Sequence, residues 1–350
     1  MDSRGGQNDV GCSAEHYKRE KLDPEMIISR APLRISFFGG GTDFPEYFLT
    51  EGGAVLATAI DKYSFVTASA FRSELFDYAI KVSYRKNESV ADVGQIEHPV
   101  FRECLRLLKV ERDIELHTVA DLPAFTGLGS SSTFTVSLLH ALHAYKGQYI
   151  KPAELAYEAI YIERTVLGET VGCQDQATAA IGGFNVLEFR GEADIRVTRL
   201  NLSVGRIAEI ESHMFIVYTG VKRRAAEIEA RKVGAISSNR DILRAMRRMV
   251  DAGYDMVVGE GSLEPFGRLL HEAWLAKRRL DSTVSSREID DLYARGLRAG
   301  AWGGKLLGAG GGGFIAFIAP PEASQGLHAA FADKFILNVS VDAAGSQIIF

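Results

Sequence analysis

Over Met26–Phe38 (MIISRAPLRISFF) apolar and polar positions alternate with period two in a run rich in β-formers, and the pattern predicts two short strands flanking Pro32. The glycine run Gly39-Gly40-Gly41 stops that segment. Alternation continues in YSFVTASAF and YAIKVSY, predicting strands at 54–60, 63–70 and 78–84, with another at 114–120. Helical spacing predicts helices over 98–108, 134–145 and 151–167, the last with Pro152 in its first turn, and a short one over 173–180. Strands are expected at 183–189, 194–200 and 213–219, then a charged helical stretch over 223–252 and helices at 262–280 and 286–299. A glycine-rich segment at 303–313 precedes a strand at 314–318, a helix at 322–335 and strands within 338–349. Strands and helices interleave in both halves, which places the chain in the α+β or α/β class.

The chain has 350 residues, enough for about two domains at roughly 150 residues each. Its 46% apolar content supports packed cores, and its net charge of −5 argues against a bulk nucleic-acid binder. No apolar run reaches the ~18 residues of a membrane span. Cys12, Cys104 and Cys173 are odd in number and scattered, which excludes a disulfide framework or a zinc cage and predicts a reducing, cytoplasmic setting. Residues 1–24 are polar and read as a flexible leader, followed by domains at 25–205 and 206–350. His140 and His143 share a helix face without a nearby carboxylate, so they predict packing rather than a metal site.

Two segments carry candidate chemistry. Gly127-Leu128-Gly129-Ser130-Ser131-Ser132 leads straight into an apolar helix. Glycines let the backbone approach an anion, the helix N-terminus supplies amide donors, and the hydroxyls add donors and a magnesium ligand. Gly303 to Gly313 is dense in glycine around Lys305. Gly308, Gly310 and Gly313 match the dinucleotide fingerprint, but a strand-like FIAFIA follows where that fingerprint requires a helix. A Walker A loop fails twice, at Ala299 and at Leu306. The segment therefore predicts a phosphate loop of another kind.

A further motif, Ala31-Pro32-Leu33-Arg34-Ile35-Ser36-Phe37-Phe38-Gly39-Gly40-Gly41-Thr42-Asp43, completes a set in which it is first in the chain, Gly127–Ser132 second and Gly303–Gly313 third. In this order the three stretches resemble the motifs of the GHMP kinase superfamily, and FGGGTD, GLGSSS and GGKLLGAGGGGF are most similar to its heptose 7-phosphate kinase branch. The resemblance spans residues 30–314. It implies an α+β GHMP kinase fold, with a ribosomal-S5-domain-2-like N-terminal domain and a ferredoxin-like C-terminal domain. It also implies ATP over Gly127–Ser132 and phosphoryl transfer to the anomeric hydroxyl of D-glycero-D-manno-heptose 7-phosphate, feeding nucleotide-activated heptose for surface polysaccharide.

Galactokinases read GEHTD where this chain has Gly39-Gly40-Gly41-Thr42-Asp43, so Gly40 and Gly41 leave room beside the sugar for a bulkier acceptor. By resemblance Asp43 holds sugar hydroxyls, with Gly40, Gly41, Thr42, Gly310, Gly311 and Gly312 as further substrate contacts. Gly172-Cys173-Gln174-Asp175-Gln176 is similar to the family's G-x-x-D-Q segment, and its Asp175 would orient the acceptor hydroxyl and take its proton. Arg34 occupies the place of the family's cation and would steady the transferring phosphoryl group. Glu163 and Ser131 are the implied magnesium ligands, with Glu169 an alternative acid. Residues 222–248 carry nine Lys/Arg against Glu227, Glu229 and Asp241, a local net of +6. A sugar phosphate needs a cationic clamp, and Arg223, in the family's TGxxR pattern, and Lys222 are its candidates. The implied partners are ATP, magnesium and a small sugar phosphate, without nucleic acid or membrane; homodimerisation stays open. Two rival expectations are an anomeric kinase of an unphosphorylated sugar such as fucose and a sugar–nucleotide sensor without turnover.

Overall fold

The computed structural model describes residues 26–124, 126–221 and 225–350. The leader expected over 1–24 therefore lies outside the described residues. In chain order, β1 (Met26–Phe38), α1 (Pro45–Glu51) and β2 (Gly53–Ala70) precede β3 (Ile80–Ser83), β4 (Asn87–Val90), α2 (Pro99–Leu107) and β5 (Ile114–Ala120). Next come α3 (Ser130–Tyr145), α4 (Pro152–Ile160), which runs into a π-helical turn over Tyr161–Val166, α5 (Gln174–Ile181), β6 (Phe184–Gly191) and β7 (Asp194–Arg199). The remainder comprises α6 (Val204–His213), β8 (Met214–Tyr218), α7 (Ala225–Gly234), α8 (Arg240–Val258), α9 (Glu264–Arg278) and α10 (Arg287–Arg298). The chain closes with β9 (Gly303–Leu306), β10 (Phe314–Ile318), α11 (Ser324–Ala330), β11 (Ile336–Leu337) and β12 (Gln347–Ile348).

Two sheets organise these elements. The first runs β12-β1-β2-β5-β3-β4, with β6 added to β2 and β7 to β6. Its pairs are antiparallel except β3 with β5. The second runs β11-β8-β10-β9 and is antiparallel throughout. This is an α+β arrangement, with helices gathered on sheet faces rather than alternating along a parallel sheet. The division expected at 205/206 falls in the first turn of α6, and β12 returns from the C-terminal part to pair with β1.

The two strand pieces expected around Pro32 are one strand. Its register against β2 shifts between Pro32 and Arg34 and again between Ser36 and Phe38, so bulging absorbs the proline without ending the strand. The strands expected at 54–60 and 63–70 are likewise the single strand β2. Its first part pairs with β6 and its second with β5, and the two partners together keep it continuous. The expected helix over 223–252 breaks into α7 and α8. Gly234, Ser237, Ser238 and Asn239 are weak helix formers, and Asn239 Nδ2 donates to Leu280 O at 2.8 Å.

Burial explains how the layers join. One core packs α2, α3, α4 and α5 on one face of the first sheet, through residues such as Phe101, Leu138, Leu142 and Ala159. A second joins both sheets: Leu33, Ile35, Phe37 and Phe38 of β1 meet Phe266 and Leu270 of α9 and Phe314, Ala316 and Ile318 of β10. Phe266 stands edge-on to Phe37 at 5.4 Å and to Phe38 at 5.2 Å. A third core lies behind the second sheet around Trp274, Phe317 and Phe331. Among the described residues no helix is long and apolar enough to cross a membrane.

Because Phe266 fills the seam between the sheets, Phe266→Ala should destabilise the protein by about 3–5 kcal/mol. Urea unfolding measures this, and a loss below about 1 kcal/mol would show that the seam does not hold the halves together.

Candidate active site

The first phosphate-loop candidate sits at the start of α3, as its serines imply. Gly129 is the residue before the helix, at φ 81° and ψ 17°, a left-handed conformation that side-chain-bearing residues rarely adopt. Its carbonyl accepts from Thr133 N at 2.9 Å, so the helix begins immediately and the preceding amides have no intrahelical partner. Ser130, Ser131 and Ser132 all line a cleft of about 760 Å³. The Ser130 hydroxyl is buried there without a hydrogen-bond partner among the described residues. Leu128 does not reach the cleft: it is buried in the core between the sheets, and its carbonyl accepts from Arg34 N at 3.0 Å.

The third motif folds onto this loop from more than 170 residues downstream. Gly308 lies so close to Gly127 that a methyl group on either would overlap the other loop's backbone. Phe314 N donates to Thr126 O at 3.2 Å. Gly308 and Ala309 line the cleft. Gly310, Gly311 and Gly312, expected as substrate contacts, do not line it. Gly310 and Gly311 lie against Val284, with Gly311 N donating to Val284 O at 2.8 Å, and Gly312 lies against Val221. They shape the loop from behind.

The first motif crosses beneath both loops. Arg34, nearly buried, donates from Nε to Asp175 Oδ1 at 2.7 Å and from Nη2 to Asp175 Oδ2 at 2.8 Å. Its Nη1 donates to Gly127 O at 2.7 Å. Asp175, in the first turn of α5, thus gives its carboxylate to Arg34 and not to its own helix, and 23% of its side chain remains exposed. Asp43 also lines the cleft, accepting from Gly41 N at 2.9 Å and Gln174 N at 3.4 Å. Burial raises the Asp43 pKa, the Gly41 amide opposes that, and the charges of Asp175 and Glu229 add to it. Gly40 and Gly41 line the cleft beside it. Thr42 does not: its hydroxyl donates to Gly39 O at 2.8 Å and Ala54 O at 2.9 Å, and it closes the turn instead of meeting substrate.

Glu163 occupies the π-helical turn after α4, a local widening often found at functional positions. Ser132 Oγ donates to its Oε2 at 2.7 Å, Gln176 Nε2 to the same oxygen at 2.6 Å, and Thr135 Oγ1 to Oε1 at 2.6 Å. Burial raises its pKa to about 7 against these three donors. Of the three loop serines it is therefore Ser132 whose hydroxyl bonds Glu163, while Ser131 lines the cleft one residue earlier. Glu169 lines the same cleft, its pKa raised by burial. Among the described residues no group of three or more His, Cys, Asp or Glu could cage a metal.

Three lysines line the cleft that were not singled out as site residues: Lys232 of α7, Lys277 of α9 and Lys305 of β9. Lys277 had a legible signal. With Phe266, Leu270, Ala273 and Trp274 it continues the buried stripe of its helix, where a lysine is out of place. Lys222 and Arg223, the expected phosphate clamp, lie outside the described residues.

Residues 98–183 match the family model described as the GHMP kinases N terminal domain, and residues 242–336 match that of the GHMP kinases C terminal. The chain belongs to the GHMP kinase family. It is 31% identical over 317 residues to the D-glycero-alpha-D-manno-heptose 7-phosphate kinase of Campylobacter jejuni, covering 87% of this chain and 92% of that one. It is 26% identical over 325 residues to the mevalonate kinase of Thermococcus sibiricus, covering 85% and 91%. Among solved structures, a D-glycero-D-manno-heptose 1-phosphate kinase from Bacteroides thetaiotaomicron superposes with a TM-score of 0.77 at 24% identity, covering 93% of this chain and 99% of that one. Lactococcus lactis galactokinase complexed with galactose superposes with a TM-score of 0.72 at 17% identity, covering 93% and 95%. These two structures carry the fold. As a GHMP kinase the chain is a phosphotransferase with a hydroxyl acceptor, and ATP is the donor of its family.

Glu163 generates a pH prediction. Its proton is held more tightly in the folded kinase, with a pKa of about 7, than at the ordinary value of 4.5. The stability this contributes is full below about pH 4.5 and is lost as pH rises through about 7, to a total of roughly 3 kcal/mol. In metal-free buffer, Glu163→Gln should therefore gain stability relative to wild type between about pH 5 and about pH 8, read by urea unfolding. A constant difference across that range would show that Glu163 is already ionised at pH 5.

Proposed function

We propose that this GHMP kinase transfers the γ-phosphoryl group of MgATP to the anomeric hydroxyl of D-glycero-D-manno-heptose 7-phosphate, giving the 1,7-bisphosphate for nucleotide-activated heptose and surface polysaccharide. The observation that carries the reading is the Arg34–Asp175 fork, which shares one cleft with the serine loop of α3. Amides at the start of α3 and the Ser130 hydroxyl suit the nucleotide's phosphates. Each Asp175 oxygen accepts from Arg34 and keeps lone-pair capacity for an acceptor hydroxyl. Phosphoryl transfer has a loose transition state, so holding that hydroxyl in line matters more than a strong base. Asp175 takes the hydroxyl proton, and the Arg34 guanidinium offsets the negative charge that gathers between nucleotide and acceptor. Asp43 fixes the sugar through its hydroxyls, and the absence of side chains at Gly40 and Gly41 leaves width for a seven-carbon acceptor.

The residues present suit a sparse magnesium site. Ser131 and Ser132 offer hydroxyls on the cleft, Glu169 a carboxylate, and Glu163 a second carboxylate behind Ser132. Magnesium commonly takes one or two protein oxygens and fills its shell with phosphates and water, and bound here it supplies neutralisation of phosphate charge. The heptose assignment leans on the Campylobacter jejuni relative, whose name specifies the 7-phosphate. The Bacteroides thetaiotaomicron structure, titled a heptose 1-phosphate kinase, keeps the position of transfer open to test. A second reading, an anomeric kinase of unphosphorylated fucose, is favoured by 25% identity to the Bacteroides fragilis protein named L-fucokinase/L-fucose-1-P guanylyltransferase, of which this chain covers 36%.

Phosphorus NMR of the products formed from heptose 7-phosphate, heptose 1-phosphate, heptose, fucose and galactose should show a new anomeric phosphate with heptose 7-phosphate alone. Turnover of fucose with none of the sugar phosphates would establish the second reading. Asp175→Asn should lower kcat by roughly 10²–10⁴-fold while calorimetry finds near-normal nucleotide affinity. Wild-type turnover in that variant would remove Asp175 from the reaction.

A further inference from the structure

The cleft holds more buried cationic charge than the transfer step uses. Lys277 and Lys305 are only 4% and 3% exposed. Among the described residues their ammonium groups meet carbonyls alone. Lys277 Nζ donates to Leu306 O at 2.9 Å and to Gly308 O, and Lys305 Nζ donates to Ser36 O at 2.9 Å and Phe37 O at 2.8 Å. An ammonium has three N–H donors, so each lysine keeps one that no described group accepts. Burial without a carboxylate partner lowers the Lys305 pKa to about 7, with Arg34 and Lys232 adding to it. Burial also lowers that of Lys277 well below the ordinary lysine value, with Lys305 and Lys232 contributing. Lys232 is a third cation on the same cleft, 2.7 Å from Glu229.

The acids on this cleft are otherwise engaged. Asp175 is held by Arg34, Asp43 accepts from backbone amides and Glu229 pairs with Lys232; Glu169 sits on the separate stretch 168–172. Position assigns Lys232 and Lys305 to the acceptor's end, and Lys277, bonded to Leu306 O and Gly308 O, lies between that end and the loop packed on Gly127. Lys232 also borders a small adjoining hollow formed by Gly41, Phe44, Val233, Ile236, Asn239, Leu243 and Leu280, which none of the α3 serines reaches. Lys305 is tied to β1 just before the first glycine motif. Three ammonium groups with unused donors suit a compact dianion such as a phosphate monoester.

We propose that Lys232, Lys277 and Lys305 form an anion subsite at the acceptor end of the cleft, and that it holds the phosphate already carried by the sugar. The proposal rests on the sugar-phosphate reading above and draws on described residues other than Lys222 and Arg223. It gives the enzyme discrimination between phosphorylated and plain sugars, because a plain sugar leaves the buried Lys277 and Lys305 without a counter-charge.

The test compares wild type with Lys277→Met and Lys232→Met. In both variants the ratio of kcat/KM for heptose 7-phosphate to that for unphosphorylated heptose should fall roughly tenfold or more, the scale of one charge-assisted hydrogen bond. For Lys232→Met, KM for ATP should change by less than about threefold, since Lys232 pairs with Glu229 and not with the loop that packs on Gly127. Lys277→Arg should recover much of the ratio, which separates lost charge from lost packing. A second arm titrates inorganic phosphate by calorimetry with the nucleotide site saturated by a non-hydrolysable MgATP analogue. Wild type should bind phosphate, and both methionine variants should bind it roughly tenfold or more weakly. If phosphate binds in this way but heptose 7-phosphate is not turned over, the subsite stands and the substrate reading falls. If both sugars lose equally in both variants, or if phosphate binds all three proteins alike, the subsite is overturned.

Discussion

The site depends on where one guanidinium goes. Arg34 leaves β1 and divides its donors between Asp175 of α5 and the carbonyl of Gly127, joining three segments far apart in the chain. Its bidentate geometry fixes both the distance and the plane of the Asp175 carboxylate. Lysine could neutralise Asp175, but it could not hold both oxygens and the loop carbonyl in one plane. Because β1 pairs with β2 on both sides of the bulge before Arg34, the arginine is carried by the first sheet. An acceptor hydroxyl placed against Asp175 is thereby placed against the whole N-terminal half.

Close backbone approach is the second constraint. The contact of Gly127 with Gly308 brings the α3 loop and the β9–β10 loop together, and side chains there would force them apart. The second sheet is thus coupled to the serine-loop end of the cleft through backbone as well as through the Phe37–Phe38–Phe266 seam. The glycines beyond Ala309 serve that coupling from outside, against Val284 and Val221. Glycine density in the third motif therefore reflects loop-on-loop packing as much as anion contact.

The buried charges divide by role. Glu163 is surrounded by three neutral donors and is driven toward its protonated form, while Lys277 and Lys305 are surrounded by carbonyls and are driven toward theirs without charge. Each arrangement is costly in the empty protein and is relieved by a charged ligand of the opposite sign. Under the proposed reading, the cleft is organised around what it would receive: negative phosphates at the lysines, and a cation accompanying the nucleotide near Glu163. Such unrelieved buried charge belongs in a binding site, since a purely structural core gains nothing by retaining it.

The order of the motifs and the helix after Gly129 could be read from the chain alone, because local spacing and residue chemistry express them directly; Arg34, Asp43 and Asp175 were pointed to by the family resemblance that those motifs carry. The periods of two and 3.6 also located most strands and helices, with departures where a partner decided the outcome: β1 ran through Pro32 and β2 stayed whole because neighbouring strands held them. The serine that touches Glu163, the withdrawal of Thr42 and Gly310–Gly312 from the cleft, and the recruitment of Lys232, Lys277 and Lys305 were tertiary decisions. No local pattern encodes them, since each depends on which atoms from distant segments share the same few ångströms. Lys277 shows the boundary most clearly: its place on an apolar stripe was visible as an anomaly, but only the packing of α9 against β9 revealed that its charge faces a cleft.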